Sequence, residues 1–196
     1  EDDYFTDKKL LDIISEIKNK YPEIALTLSI GEKSYDSYKK LFKTGVDRYL
    51  LRHETISTER YKKFHPDMNL KNRIDCLYNL KEIGYQVGAG FIVGLPGQTN
   101  TNIAENLLFL KKLNPHMVGT GPLITHPETP LAAHKNGSVE KTLITLAITR
   151  LLLPEVLLPA TTALNTLDDN GWEKGFKAGA NVIMPNITPE FIREKY

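Results

Sequence analysis

Cysteine is almost missing from this chain: Cys76 is the only one. A single thiol forms no disulfide framework, and it falls short of the three or four thiolates an all-protein iron–sulfur or structural zinc site requires. Long hydrophobic runs are missing too. The longest apolar stretch, around Leu151 to Leu158, is interrupted by Pro154 and Glu155 and is far short of the roughly 20 residues of a membrane span. Neither sign of charge prevails, with 25 Lys+Arg against 24 Asp+Glu and a formal net charge of +1. That balance gives no basic face for nucleic acid and no acidic tail. The N-terminus opens on Glu1, Asp2 and Asp3, which is no signal peptide. The expectation is therefore a cytoplasmic protein with neither a nucleic-acid nor a membrane partner. Glu1 is not Met, and the chain reads as a piece of something longer.

What is present suits one domain with a real core: 196 residues, 41% hydrophobic and 25% charged, an ordinary balance for a soluble globular protein. Thr6 is placed to cap an amphipathic helix carrying Leu10, Leu11, Ile13, Ile14 and Ile17, stopped at Tyr21 and Pro22. Residues 24–30 form a short apolar run closed by Gly31, which predicts a buried strand. Further strands are predicted over 48–51, 85–93, 117–122, 157–163 and 181–184. Helices are predicted over 35–43, 70–83, 102–113, 138–153 and 172–178, with Gly45, Gly84 and Gly179 as terminators. Thr188 is expected to cap a last helical piece.

Strand and helix alternate throughout, with about 20–40 residues between successive strands, the pattern of parallel βαβ units. Six strands follow a leading helix. Polar or glycine-rich segments come after five of the six: Thr27 and Ser29; Arg52, His53 and Glu54; Gly94 to Gly97; Thr125 to Thr129; Thr161 and Thr162. An open doubly wound sheet gathers such residues at one switch point, whereas a barrel distributes them around its C-terminal rim. The fold class is therefore α/β, a TIM-type (β/α)8 barrel represented by about six βα units.

The run from Tyr49 to Thr55 carries the clearest chemistry. An apolar strand ends abruptly in Arg52, His53 and Glu54, and burying such charges costs several kcal/mol per ion unless they are paired or bind a ligand. A surface ion pair is one reading. The other is a ligand clamp, with Glu54 accepting two ribose hydroxyls and Arg52 gripping a carboxylate. Arg73 falls in the first turn of its helix, where a cation opposes the dipole; an anionic ligand or plain solvation both account for it. Cys76, beside Leu77 and Leu80, reads as a core thiol. Gly88, Gly90 and Gly94 give a GxGxxxG inside a strand, with Pro96 where a phosphate-binding helix would have to start. Such glycines mark close approach to a ligand ring or to a neighbouring strand. Thr27, Ser29, Thr161 and Thr162 alternate with apolar residues, so they either line a polar lumen or bond to backbone.

Several phrases carry a resemblance: Leu50-Leu51-Arg52-His53-Glu54-Thr55, Gly84 to Gly88, Gly90 to Gln98, His126 to Leu131, Leu151 to Pro154, Leu158 to Ala163 and Gly179 to Asn186. In this order they resemble the radical S-adenosylmethionine (SAM) enzymes, and among them the FeFe-hydrogenase maturases of the HydE family. Biotin synthases share the plan but not this wording. The resemblance implies an eight-stranded barrel holding a 4Fe-4S cluster and SAM, whose reductive cleavage gives a 5′-deoxyadenosyl radical aimed into the lumen. It places Glu54 on the SAM ribose or amino-acid portion and Arg73 on the methionyl carboxylate. Gly90, Ile92 and Gly94, with Pro127 and Leu131, would line the adenine. Thr27, Ser29, Arg52, Met117, Pro122, Thr161 and Thr162 would line the substrate chamber. The implied substrate is a small cysteine-bound iron complex carrying carbon monoxide and cyanide, and other hydrogenase maturation proteins are the implied partners.

One departure from the family pattern matters. The CxxxCxxC cluster loop has no counterpart here, and Cys76 lies in the wrong element for it. No metal ligand and no catalytic residue is therefore assigned. Residues 1–196 are expected to be the third to eighth strands of the barrel, without the N-terminal cluster region or a C-terminal tail, and inactive alone. The alternatives are a methylornithine synthase-like mutase of pyrrolysine biosynthesis and a non-catalytic SAM-binding remnant.

Overall fold

The computed structural model describes residues 5–185 and 189; the helical piece expected from Thr188 lies outside them. Eight helices are described: α1 (Asp7–Lys20), α2 (Tyr35–Lys43), α3 (Thr58–Phe64), α4 (Leu70–Ile83), α5 (Asn100–Leu113), α6 (Val139–Leu152), α7 (Thr162–Leu167) and α8 (Gly171–Lys177). At the start of α1 through α7 a Ser, Thr or Asn side chain accepts a backbone N–H, satisfying donors the helix itself leaves open. Thr99 and Asn102 close a reciprocal capping box on α5. Short sequence signals thus set most helix starts.

The strands are β1 (Thr27–Leu28), β2 (Arg48–Leu50), β3 (Gln86–Ala89), β4 (Ile92–Val93), β5 (Met117–Val118), β6 (Gly121–Pro122), β7 (Pro159–Ala160) and β8 (Val182–Ile183). All pairings are parallel, and β1, β2, β3 and β5 are neighbours in that order. Beyond the kinks, β4 and β6 continue β3 and β5 and pair with each other. A bridge between Met117 and Leu157 leads on to β7, which pairs with β8. Six strand positions therefore follow one another without reversal. A doubly wound sheet reverses its order at a switch point, so this is an arc of a barrel.

Several expected boundaries move. The strand expected over 85–93 breaks at Gly90, where a Cβ would lie 2.0 Å from the Gly119 carbonyl oxygen. The strand over 117–122 breaks at the facing position, Gly119 and Thr120. The strand over 157–163 stops at Ala160, because the Thr161 hydroxyl caps α7 and Thr162 is its first residue. Residues 24–30 are not buried: only Thr27 and Leu28 pair, on one side, and Ile24 is 54% exposed. The helix α3 was not expected from the sequence.

Alternation along the strands separates two faces. Tyr49, Leu51, Val87, Ala89 and Val118 turn outward into a core completed by Tyr38, Leu41, Leu77, Leu80, Leu107 and Leu110 from the helices. Full burial of a Val or Leu side chain among them contributes about 1.5–3 kcal/mol. Tyr38 and Tyr49 meet edge to face at 5.0 Å, and both hydroxyls donate to the Gly31 carbonyl. The opposite face lines the lumen. Thr27, Arg48 and Gln86 share one register level, with Leu50, Gly88 and Met117 above them.

Candidate functional site

The lumen is widened by glycine. Leu50 Cδ1 occupies the space a Gly88 side chain would need, at 2.8 Å, and Arg52 Cδ lies 4.0 Å from where a Gly119 Cβ would be. Arg52 therefore reaches inward past β3 as far as Gly119, after β5, where no side chain stands. Gly121 similarly admits Thr161, whose Oγ1 would stand 2.6 Å from a Cβ at that position. Thr27 and Met117 border a narrow cleft lower down, with Leu50, Gly88 and Leu157. Pro122 is buried, whereas Ser29 is exposed beside the open edge of β1.

At the rim, Arg52 and Glu54 stand together while His53 between them points the other way. Arg52 Nη2 and Glu54 Oε2 are 3.2 Å apart, with side chains 33% and 20% exposed. Their alignment is not that of a hydrogen bond, and neither these two atoms nor Arg52 Nε finds another protein partner. This pair is free to be rearranged by a ligand carrying both donors and a negative charge. His53 is fully buried, and that burial pushes its pKa down to about 3, so the ring is neutral.

Glu54 opens onto a cavity of about 550 Å³, within the usual range for small-molecule sites. Its walls are apolar: Ile92, Leu95, Leu123, Ile124, Pro130 and Leu131, with Phe64 and Pro66 from the end of α3. Lys63, His65, Thr129 and His134 add polar groups. The structure thus brings Glu54, Ile92 and Leu131 to one cavity. Pro127 is exposed on the neighbouring loop, outside the lining. Gly90 and Gly94 are held by packing, since a Cβ would meet Gly119 in the first case and Gly137 Cα at 2.5 Å in the second.

Arg73 stands apart from this cavity. It is 3% exposed, its Nε lies 2.8 Å from Glu32 Oε1 and 3.1 Å from the Tyr61 hydroxyl. The anion that its place in the helix calls for is thus present within the chain. Cys76 is buried near the Lys33 carbonyl, and burial pushes its thiol up.

Sequence reading missed the α3 wall and the device that holds it. Arg60 donates from Nη1 to Gly97 O at 2.9 Å and from Nη2 to Pro96 O and Leu95 O at 2.8 and 3.4 Å. Gln98 folds back to Gly94 N and Ile92 O. Ser57 followed by Glu59 and Arg60 was the available signal for a helix start. Gly119 and Gly121, missed as well, follow Met117 with the same in-strand spacing as Gly88 and Gly90.

A sequential parallel arc with a carboxylate-bearing strand end and an apolar cavity at its C-terminal rim defines a partial (β/α) barrel with a candidate ligand site at that rim. The radical SAM superfamily model matches residues 2–110, and the chain belongs to that superfamily of enzymes. Within it the chain is HydE-like: it is 48% identical over 196 residues to the FeFe hydrogenase maturase subunit HydE of Thermotoga maritima, covering 100% of this chain and 56% of that one. It shares 27% over 185 residues with 3-methylornithine synthase of Methanosarcina acetivorans, covering 93% of this chain and 52% of the relative. The crystal structure of methylornithine synthase (PylB) superposes with a TM-score of 0.84 at 23% identity, over 93% of this chain and 53% of that one. That likeness shows the fold. The chain spans about half the length of the curated relatives it matches.

SAM and a 4Fe-4S cluster are the cofactors of this family, and the two fare differently against the residues present. The cavity at Glu54 suits an adenosyl group: apolar walls for the base and a carboxylate oxygen without a hydrogen bond for ribose hydroxyls. The cluster finds no thiolate set, since Cys76 is the chain's one cysteine. Among the described residues no three His, Cys, Asp or Glu side chains converge as a metal site, and no helix is long and apolar enough to cross a membrane.

Proposed function

We propose that residues 1–196 form the third to eighth strands of a HydE-like maturase barrel of FeFe-hydrogenase assembly. In this reading SAM binds at the rim with its adenosyl group in the Glu54 cavity. When bound in the complete protein, SAM supplies a 5′-deoxyadenosyl radical. The chain's own residues bind, orient and exclude water. Glu54 accepts the ribose hydroxyls, releasing Arg52 from its imperfect pair. Ile92 and Leu131 press on the base, with Gly90, Gly94 and Pro127 on the segments that frame it. Arg73 takes the methionyl carboxylate, exchanging Glu32 for it.

The substrate is a small cysteine-bound iron complex in the lumen, in contact with Thr27, Ser29, Arg52, Met117, Pro122, Thr161 and Thr162. Arg52, once free of Glu54, faces its anionic part. The site is cytoplasmic, and other maturation proteins deliver or receive the cargo. The observation that carries this reading is the Glu54 carboxylate, with Oε2 near Arg52 but without a hydrogen bond, on the wall of the apolar cavity. The 48% identity to HydE favours it over the methylornithine synthase reading, in which free lysine would occupy the lumen.

The test is equilibrium binding of S-adenosylhomocysteine and SAM by calorimetry. A charge-assisted hydrogen bond is worth about 1.5–3 kcal/mol, so Glu54→Gln and Arg73→Ala should each weaken binding by about tenfold or more. No saturable binding to the parent chain, or affinity untouched by Glu54→Gln, sinks the proposal; affinity untouched by Arg73→Ala removes Arg73 alone.

A further inference from the structure

We infer that Asn106 and His53, which lie outside the cavity, are positioning residues that set the pose of Glu54; the inference rests on the cofactor role just proposed for that carboxylate. Glu54 has φ of +60°, and among the described residues the only other non-glycine with positive φ is Asn114. Asn114 ends α5, a place where that residue type tolerates left-handed backbone. A glutamate has no such local compensation, so its conformation costs about 1 kcal/mol and needs to be held by its surroundings.

The hold comes from both sides of Glu54 in sequence. On the strand side, His53 N and Glu54 N both donate to Gly90 O, at 2.9 and 3.1 Å. On the helix side, one side-chain amide does the rest. Asn106 Oδ1 lies 3.1 Å from His53 Nε2 and accepts Ile56 N at 3.0 Å. A single oxygen therefore ties down residues 53 and 56, bracketing Glu54. The amide cannot flip, because its Nδ2 donates to Asn102 O at 2.7 Å.

The imidazole itself has little freedom. It packs against Phe109 at 4.8 Å and Phe91 at 6.0 Å, and both His53 and Asn106 are essentially unexposed. Burial and the nearby Arg52 and Arg73 cations keep the ring neutral, so Nε2–H is the donor to the Asn106 oxygen. Glu54 then has one backbone pose, and its carboxylate emerges on the lumen side. This is the rigid support a binding constellation needs to hold its geometry. The outer helix α5 thereby governs a residue on the inner face of the barrel.

The experiment is a double-mutant cycle read by calorimetry with S-adenosylhomocysteine, on variants shown by circular dichroism to be folded at the working temperature. Asn106→Leu keeps the volume and removes the acceptor; it should weaken binding by about tenfold. Because it acts through Glu54, adding it to Glu54→Gln should cost no more than about threefold beyond Glu54→Gln alone. His53→Gln, which keeps an N–H in reach of Asn106, should stay within about threefold of the parent, whereas His53→Leu should match Asn106→Leu. Unchanged affinity in a folded Asn106→Leu or His53→Leu, or losses that multiply in the double variant, would overturn the inference. If Glu54→Gln itself leaves affinity unchanged, the cavity reading fails and this one with it.

Discussion

His53 makes a quantitative prediction about acid stability. An unfolded histidine titrates near 6.5, whereas burial in the folded chain holds His53 down to about 3. Proton binding is thus favoured in the unfolded state across that window, and stability falls as pH falls. The contribution is intact above about pH 6.5 and is lost progressively down to about pH 3. Each unit of difference is worth about 1.4 kcal/mol, so between pH 8 and pH 5 this one ring should remove about 2 kcal/mol. The comparison that isolates it is His53→Gln, which retains a donor for Asn106 but does not titrate. Urea denaturation of parent and variant at a series of pH values gives two stability curves, and their difference cancels the carboxylates common to both. The variant's curve should be flatter by about 2 kcal/mol over that range. Parallel curves would refute the reasoning: His53 would then reach solvent or a counter-ion on protonation, and its pinning of the strand end would be weak.

Gly90→Ala should destabilise by about 3 kcal/mol or more in urea melts, because the new methyl meets the Gly119 carbonyl at 2.0 Å. Gly97→Ala, where only Arg60 Nη1 comes near at 3.5 Å, should cost about 1 kcal/mol from its left-handed backbone alone. Arg60→Ala frees the carbonyls of Leu95, Pro96 and Gly97, and hydrogen exchange should show faster exchange across that loop without a change at β2. Among the described strands β1 and β8 each pair on one side only, and such edges template association. Gel filtration should show species larger than the monomer that diminish in Thr27→Lys; a sharp monomer of the parent counts against the open-edge reading.

Much of the architecture was legible because barrels are written in punctuation. Thr6 caps α1 as its sequence signals, and Gly84 closes α4 with φ of +110°. The sequential order of strands also follows from alternation alone. What did not follow was where each strand stops. Gly90 and Gly119 could be read as strand residues, since their effect arises only when the two backbones face each other across β3 and β5. Thr161 has strand propensity and helix-capping ability at once, and the cap prevailed: Leu164 N donates to both Thr161 Oγ1 and Thr161 O at the first turn of α7. The edge position of β1 is likewise a property of its neighbours, and an apolar run such as residues 24–30 looks the same whether one side or two are covered.

The site shows the same division at finer grain. Alternation along β2 turns Arg52 to the lumen, and the left-handed backbone at Glu54 brings its carboxylate alongside. The same rule sends His53 to the opposite face, so three adjacent polar residues that read as one cluster serve two different layers. Arg73 illustrates the complementary limit. A cation in the first turn of α4 signals an anion nearby, but only the fold shows that Glu32, 41 positions earlier in the sequence, already lies beside it. A ligand carboxylate at Arg73 must therefore compete with a resident one, and a ligand hydroxyl at Glu54 with Arg52, whose pair is longer and more exposed. The two contacts assigned to one cofactor thus differ in degree: Glu54 must give up a partly exposed Arg52 at 3.2 Å, and the buried Arg73 must give up Glu32 at 2.8 Å. Affinity should accordingly depend more steeply on Glu54 than on Arg73, and Glu32→Gln should raise it by releasing the competitor.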